Sequence, residues 1–70
     1  MVCLIRQDGA LILSWVIGPT LESVAIHYGD KALTAEILAD PKRYSAYGNY
    51  QLQGGKYTLL VGSIDTRKPQ

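Results

Sequence analysis

The chain has 70 residues, 47% hydrophobic and 19% charged, with a formal net charge of +1. That length excludes several domains, and it leaves a thin stability margin, since chains this small bury only about 60% of their unfolded surface. The composition excludes a disordered chain, and the single cysteine, Cys3, with the single histidine, His27, excludes an internal disulfide and a structural zinc site.

The first predicted element is a β-hairpin over about 2–17. Val2 to Gln7 and Ala10 to Ile17 flank Asp8-Gly9, a favoured two-residue turn. A turn there places Arg6 opposite Leu11, Leu4 opposite Leu13 and Val2 opposite Trp15. Ile5 then faces Ile12 and Cys3 faces Ser14 on the other side. Both sides are substantially apolar, so both need cover. In a chain this short a helical layer covers one face only. The other is left for the rest of the chain, a second subunit or a partner.

Gly18-Pro19-Thr20 ends this hairpin. Thr20 has the hydroxyl of a helix cap, and Leu21, Val24, Ala25 and Tyr28 follow at the spacing of one helical face. Gly29 stands where a left-handed C-terminal residue belongs. Asp30 is placed to cap a second helix, Lys31 to Ala39, with Leu33 and Ile37 on one side. Asp40-Pro41 ends it, because the residue before proline avoids the helical region. One or two short helices are therefore expected over about 20–39. A third hairpin is the alternative, since Val24, Ile26 and Tyr28 also alternate.

The strongest local signal lies in the second hairpin, about 47–64. Gly54-Gly55 supplies the turn. Leu52 then pairs with Tyr57, Gln51 with Thr58, Tyr50 with Leu59 and Gly48 with Val61. Tyr50, Leu52, Tyr57, Leu59 and Val61 share one face. Asn49, Gln51, Gln53, Lys56 and Thr58 share the other, with Leu60 as the apolar exception. Residues 65–70 are polar and read as a frayed tail. The fold expected is α+β: one domain over 1–70, an antiparallel sheet from two hairpins, and short helices between them. An all-β barrel or sandwich is the alternative.

Catalytic constellations are weak. Ser23, His27 and Asp30 have the residue types of a triad, but no glycine-rich elbow surrounds Ser23, and Gly29 interrupts the helix before Asp30. Cys3 has no adjacent base and reads as an inert buried thiol. The stretch Thr20 to Gly29 has the spacing of a helix-turn-helix entry, yet the following helix offers Lys31, Thr34, Glu36 and Asp40, a poor set for base edges and phosphates. No catalytic residue, metal ligand or cofactor site is expected.

Charge is divided unevenly. Residues 1–40 carry net −3 and residues 41–70 carry net +4. The basic part also holds Tyr44, Tyr47, Tyr50 and Tyr57. Two functions follow as expectations. One is a non-enzymatic protein-binding module, an adaptor or inhibitor of the kind viruses and mobile elements also carry. It would occlude a partner surface through Lys42, Arg43, Tyr44 and Tyr47, with Trp15 as apolar anchor. Self-association as a homodimer is part of that reading. The other is a single-stranded nucleic-acid binder using Lys42, Arg43, Tyr44, Tyr47, Lys56, Arg67 and Lys68. The start lacks a basic leader before an apolar run, and the longest apolar run is too short for a bilayer. With one unpaired thiol, a reducing, cytoplasmic setting without membrane contact is expected.

Overall fold

A computed structural model describes residues 1–62. Its strands are β1 (Val2–Asp8), β2 (Leu11–Gly18), β3 (Gly48–Leu52) and β4 (Tyr57–Val61). Two helices, α1 (Leu21–Ala25) and α2 (Lys31–Ala39), and a 3₁₀ turn at Pro41–Tyr44 lie between β2 and β3. The four strands form one antiparallel sheet in the order β2-β1-β4-β3. The two hairpins join through their outer arms, β1 and β4, which leaves β2 and β3 as edges. This is the expected α+β arrangement. Its shortest dimension is 17 Å, room for a sheet and one helical layer about 10 Å apart. The helices lie on one face of the sheet, and no described element covers the other.

The second hairpin has the register that its glycine turn and alternation predict. Leu52 pairs with Tyr57, Gln51 with Thr58, Tyr50 with Leu59 and Gly48 with Val61. Gly54 and Gly55 take φ of +65° and +95°, the left-handed pair that a type I′ turn requires. The strand β4 ends at Val61. Residues 63 and 64 of the predicted hairpin, the predicted tail 65–70, and with it Arg67 and Lys68, lie outside the described residues.

The first hairpin differs from expectation. The chain turns at Gly9-Ala10, so Asp8 pairs with Leu11, and Gly9 has φ +60° as the first turn residue, where a type II′ turn needs glycine. Gln7 pairs with Ile12, but Arg6 pairs with Ser14, so Leu13 is the extra residue of a β-bulge. Beyond it Ile5 pairs with Trp15, Leu4 with Val16 and Cys3 with Ile17. The predicted pairs Arg6 with Leu11, Leu4 with Leu13, Val2 with Trp15, Ile5 with Ile12 and Cys3 with Ser14 are therefore corrected. The physical reason is that β2 is apolar on both sides, so burial penalises neither the turn moving on by one residue nor the bulge, which together shift the partner of Leu4 from Leu13 to Val16.

Both helices start at the predicted caps. The Thr20 hydroxyl accepts from the Ser23 N–H, and the Ser23 hydroxyl reaches back to the Thr20 backbone. The Asp30 carboxylate accepts from the Leu33 N–H at 3.1 Å. Only α1 is shorter than the pattern implies: after Ala25 the chain passes through a turn to Gly29, whose φ is +67°. The Thr34 hydroxyl lies 2.7 Å from the Ala25 carbonyl oxygen, one of the acceptors that the end of α1 leaves unpaired.

The core lies between sheet and helices. Leu4 and Leu59 from the central strands meet Val24 and Ala25 of α1 and Leu33 and Ile37 of α2, all fully buried. Each large aliphatic side chain buried this way contributes about 1.5–3 kcal/mol. Leu52, Tyr57 and Tyr44 close the core toward β3.

Candidate binding face

Partners across an antiparallel ladder share a face, so the register assigns the uncovered side of the sheet. One row runs across all four strands: Trp15 beside Ile5, Ile5 beside Thr58, Thr58 beside Gln51. The next row is Ile17, Cys3, Leu60 and Asn49. On the far side of the first row Ile12 stands beside Gln7. The bulge at Leu13 matters here. Ile12 and Trp15 are three residues apart and would otherwise point to opposite faces. With one residue absorbed, Ile12, Trp15 and Ile17 project together.

This face is half apolar and half amide. Its β2 and β1 side carries Ile12, Trp15, Ile17 and Ile5, and Leu60 extends it onto β4. Its β3 side carries Asn49 and Gln51. Ile12, Trp15 and Ile17 remain 54%, 41% and 38% exposed, large values for residues that no loop or helix explains. None of the strand side chains on this face is charged. Arg6 and Asp8 project from the covered side, and Lys56, just before β4, borders this face beside Gln7 and Gln51. Depletion of charge with retention of aromatic and aliphatic groups marks the centre of a protein interface. Cys3 lies within the face but is only 2% exposed, between Ile17 and Leu60 on the neighbouring strands. Burial pushes its thiol above the ordinary cysteine value, which leaves little thiolate for chemistry.

The other predicted binding residues are scattered. Lys42 and Arg43 are exposed on the 3₁₀ turn before β3, and Tyr47 is 80% exposed just beyond it. They stand at the β3 edge, with the width of the sheet between them and Trp15 on the β2 edge. Tyr44 is a correction. It is not a free platform but a core residue, 3% exposed, with its ring edge-on to Tyr50 at 5.0 Å. Burial raises its pKa, the positive charge of Arg43 lowers it, and Glu36 and Asp40 add to the rise. Lys56 sits at the tip of the second hairpin, where its carbonyl accepts from the Gln7 N–H at 2.8 Å. Among the described residues the basic groups therefore do not form one groove with the tyrosines.

The triad-like residues are spent on structure. Ser23 serves the α1 cap. Asp30 caps α2 and accepts a 3.3 Å hydrogen bond from the Tyr57 hydroxyl. His27 packs edge-on against Tyr28. Among the described residues no three His, Cys, Asp or Glu side chains converge as a metal site would need, and no helix is long and apolar enough to cross a membrane. A second, smaller apolar area lies on the helical side, where Ile26, Ala35 and Leu38 line an open groove beside Lys31.

Comparison with protein-family models, curated proteins and solved structures returns no match.

Proposed function

We propose that this chain is a small, non-enzymatic protein-binding module that acts by covering a protein surface with the helix-free face of its sheet. One observation carries the reading: the strand side chains of this face, with Trp15 at its β2 edge, carry no charge and stay open among the described residues, while Leu4 and Leu59 on the opposite face are buried beneath the helices. An exposed tryptophan flanked by aliphatic residues on a regular scaffold is the usual energetic centre of an interface. A rigid sheet also presents it at little entropic cost. Occlusion by such a face suits an adaptor or inhibitor and requires no catalytic group. For nucleic-acid binding, the neighbouring exposed groups among the described residues are Lys42, Arg43 and Tyr47.

The test is site-specific photo-crosslinking in cells that express the chain. A photoreactive phenylalanine analogue replaces Ile17 on the open face or Leu38 on the helical side. The expected result is a discrete protein adduct from position 17 that position 38 does not give, and that disappears when Trp15→Ser is added. Equal adducts from both positions, or none from position 17, overturn the reading.

A further inference from the structure

The helix-free face has a property that an arbitrary binding surface lacks: it is complementary to itself. Its apolar half lies over β2 and β1, and its uncharged polar half over β4 and β3. A two-fold axis parallel to the strands would set the apolar half of one copy on the amide half of the other. An axis perpendicular to the strands, along the row Trp15, Ile5, Thr58 and Gln51, does the opposite. It lays β2 over β2 of the second copy and β3 over β3.

Resting on the reading of this face as a protein-binding surface, we propose that its occupant is a second copy of this chain, packed sheet on sheet about that perpendicular axis. Trp15 meets Trp15 of the second copy, and Ile5 meets its own counterpart. Ile17 and Cys3 lie over the Ile12 and Gln7 side. At the other end of the axis Gln51 meets Gln51. An amide both donates and accepts, so it satisfies an identical amide across the axis, whereas a charged group there would meet its own sign. The row that the axis follows, Trp15, Ile5, Thr58 and Gln51, holds no charged side chain, so no charge meets its own sign there. The product is a four-layer sandwich with helices outside and the sheets about 10 Å apart.

The size is adequate for a reversible dimer. Four strands about 4.8 Å apart and some six residues long span roughly 400 Å². Over the two copies that is about 800 Å², below the roughly 1,200 Å² at which standard specific interfaces begin and in the range of weak, transient contacts. The dimer is therefore concentration-dependent rather than obligate.

Sedimentation equilibrium from about 1 μM to about 1 mM reads this directly as a rise from monomer to dimer mass. Trp15→Glu and Trp15→Lys, each folded by circular dichroism, should each weaken dimerisation more than about tenfold, because the axis brings like charges together. Mixing the two should restore a one-to-one heterodimer. Gln51→Glu and Gln51→Lys repeat the cycle at an exposed position where folding is not at stake. A native chain that stays monomeric at the highest concentration overturns the proposal. So does a dimer indifferent to charge at both positions. If the chain is monomeric while Ile17 still crosslinks to a different protein in a Trp15-dependent way, the second copy is overturned and the binding face survives. If neither occurs, both fall.

Discussion

Glu36 and Gln53 tie the second helix to the tip of the second hairpin. One carboxylate oxygen of Glu36 accepts both the backbone N–H of Gln53, at 3.2 Å, and its side-chain amide. Gln53 has φ +52°, the one positive value outside glycine among the described residues. That conformation costs a residue with a side chain on the order of 1 kcal/mol, and the double hydrogen bond offsets it.

Glu36→Ala should therefore cost about 1–3 kcal/mol, since it leaves a half-buried N–H without its acceptor. In a domain of this size about 1 kcal/mol moves the melting temperature by some 4–8 °C. Glu36→Gln retains an acceptor oxygen and should cost clearly less. Thermal melts of both variants check the ordering, and equal losses would assign Glu36 a packing role instead.

Gly18 is needed for the approach of α1 to the sheet. It is buried at the end of β2, and an added methyl would fall on the Ser23 hydroxyl and close to a Val24 methyl. Ser23 is committed to the α1 cap and Val24 to the core, so neither yields freely. Gly18→Ala should destabilise by about 1–3 kcal/mol, the usual cost of overpacking. Gly9→Ala meets no neighbour and suffers only from its positive φ, so it should cost about 1 kcal/mol. Urea unfolding of the pair reads the difference, and a larger loss at Gly9 would contradict the packing argument.

The parts of this fold that the sequence makes legible are those where one residue type answers one local need. Gly54-Gly55 supplies two positive φ values, strict alternation sorts the flanking strands, and Thr20 and Asp30 offer acceptors to helix N-termini. The first hairpin is not legible in the same way. From Leu11 to Ile17 only Ser14 interrupts the apolar run, so alternation carries no register, and the bulge at Leu13 leaves no compositional mark. The face that gathers Ile12, Trp15 and Ile17 depends on that bulge, which is why Trp15 could be singled out from the sequence but not its neighbours. Tyr44 was misplaced for a related reason. A single 3₁₀ turn behind Pro41 has no period from which to read which side faces inward.

Two buried tyrosines predict a loss of stability in alkali. Desolvation is the main cause that raises Tyr44 and Tyr57 above the ordinary phenol value, and for Tyr57 the charge of Asp30 and the hydrogen bond to it add to the rise. In the unfolded chain both phenols return to about 10. Between that value and the higher folded one, the unfolded state has lost protons that the native state still holds. Stability therefore falls as pH rises from about 10 toward the folded values, and is level in this respect below that window. Denaturant midpoints at pH 8 to 11 should show the decline, and Tyr57→Phe should flatten part of it. A pH-independent midpoint across that range would contradict the burial of both hydroxyls.

Lys42, Arg43 and Tyr47 give the nucleic-acid alternative a direct test. Phosphate binding releases counterions, so its affinity falls steeply with salt, whereas contacts through an uncharged sheet face change little. Fluorescence anisotropy of labelled single-stranded DNA, single-stranded RNA and duplex DNA at low and moderate salt separates the two. With Tyr44 in the core and Lys56 at the far turn, the adjacent groups among the described residues are Lys42, Arg43 and Tyr47, a small set beside the several neutralised phosphates and stacked bases of a tight single-strand site. The expected outcome is no saturable binding at moderate salt with any of the three probes, and no change with Trp15→Ser. Saturable, salt-sensitive binding to single strands that disappears in Lys42→Ala/Arg43→Ala, while Trp15→Ser leaves it intact, would move the function from the sheet face to the β3 edge.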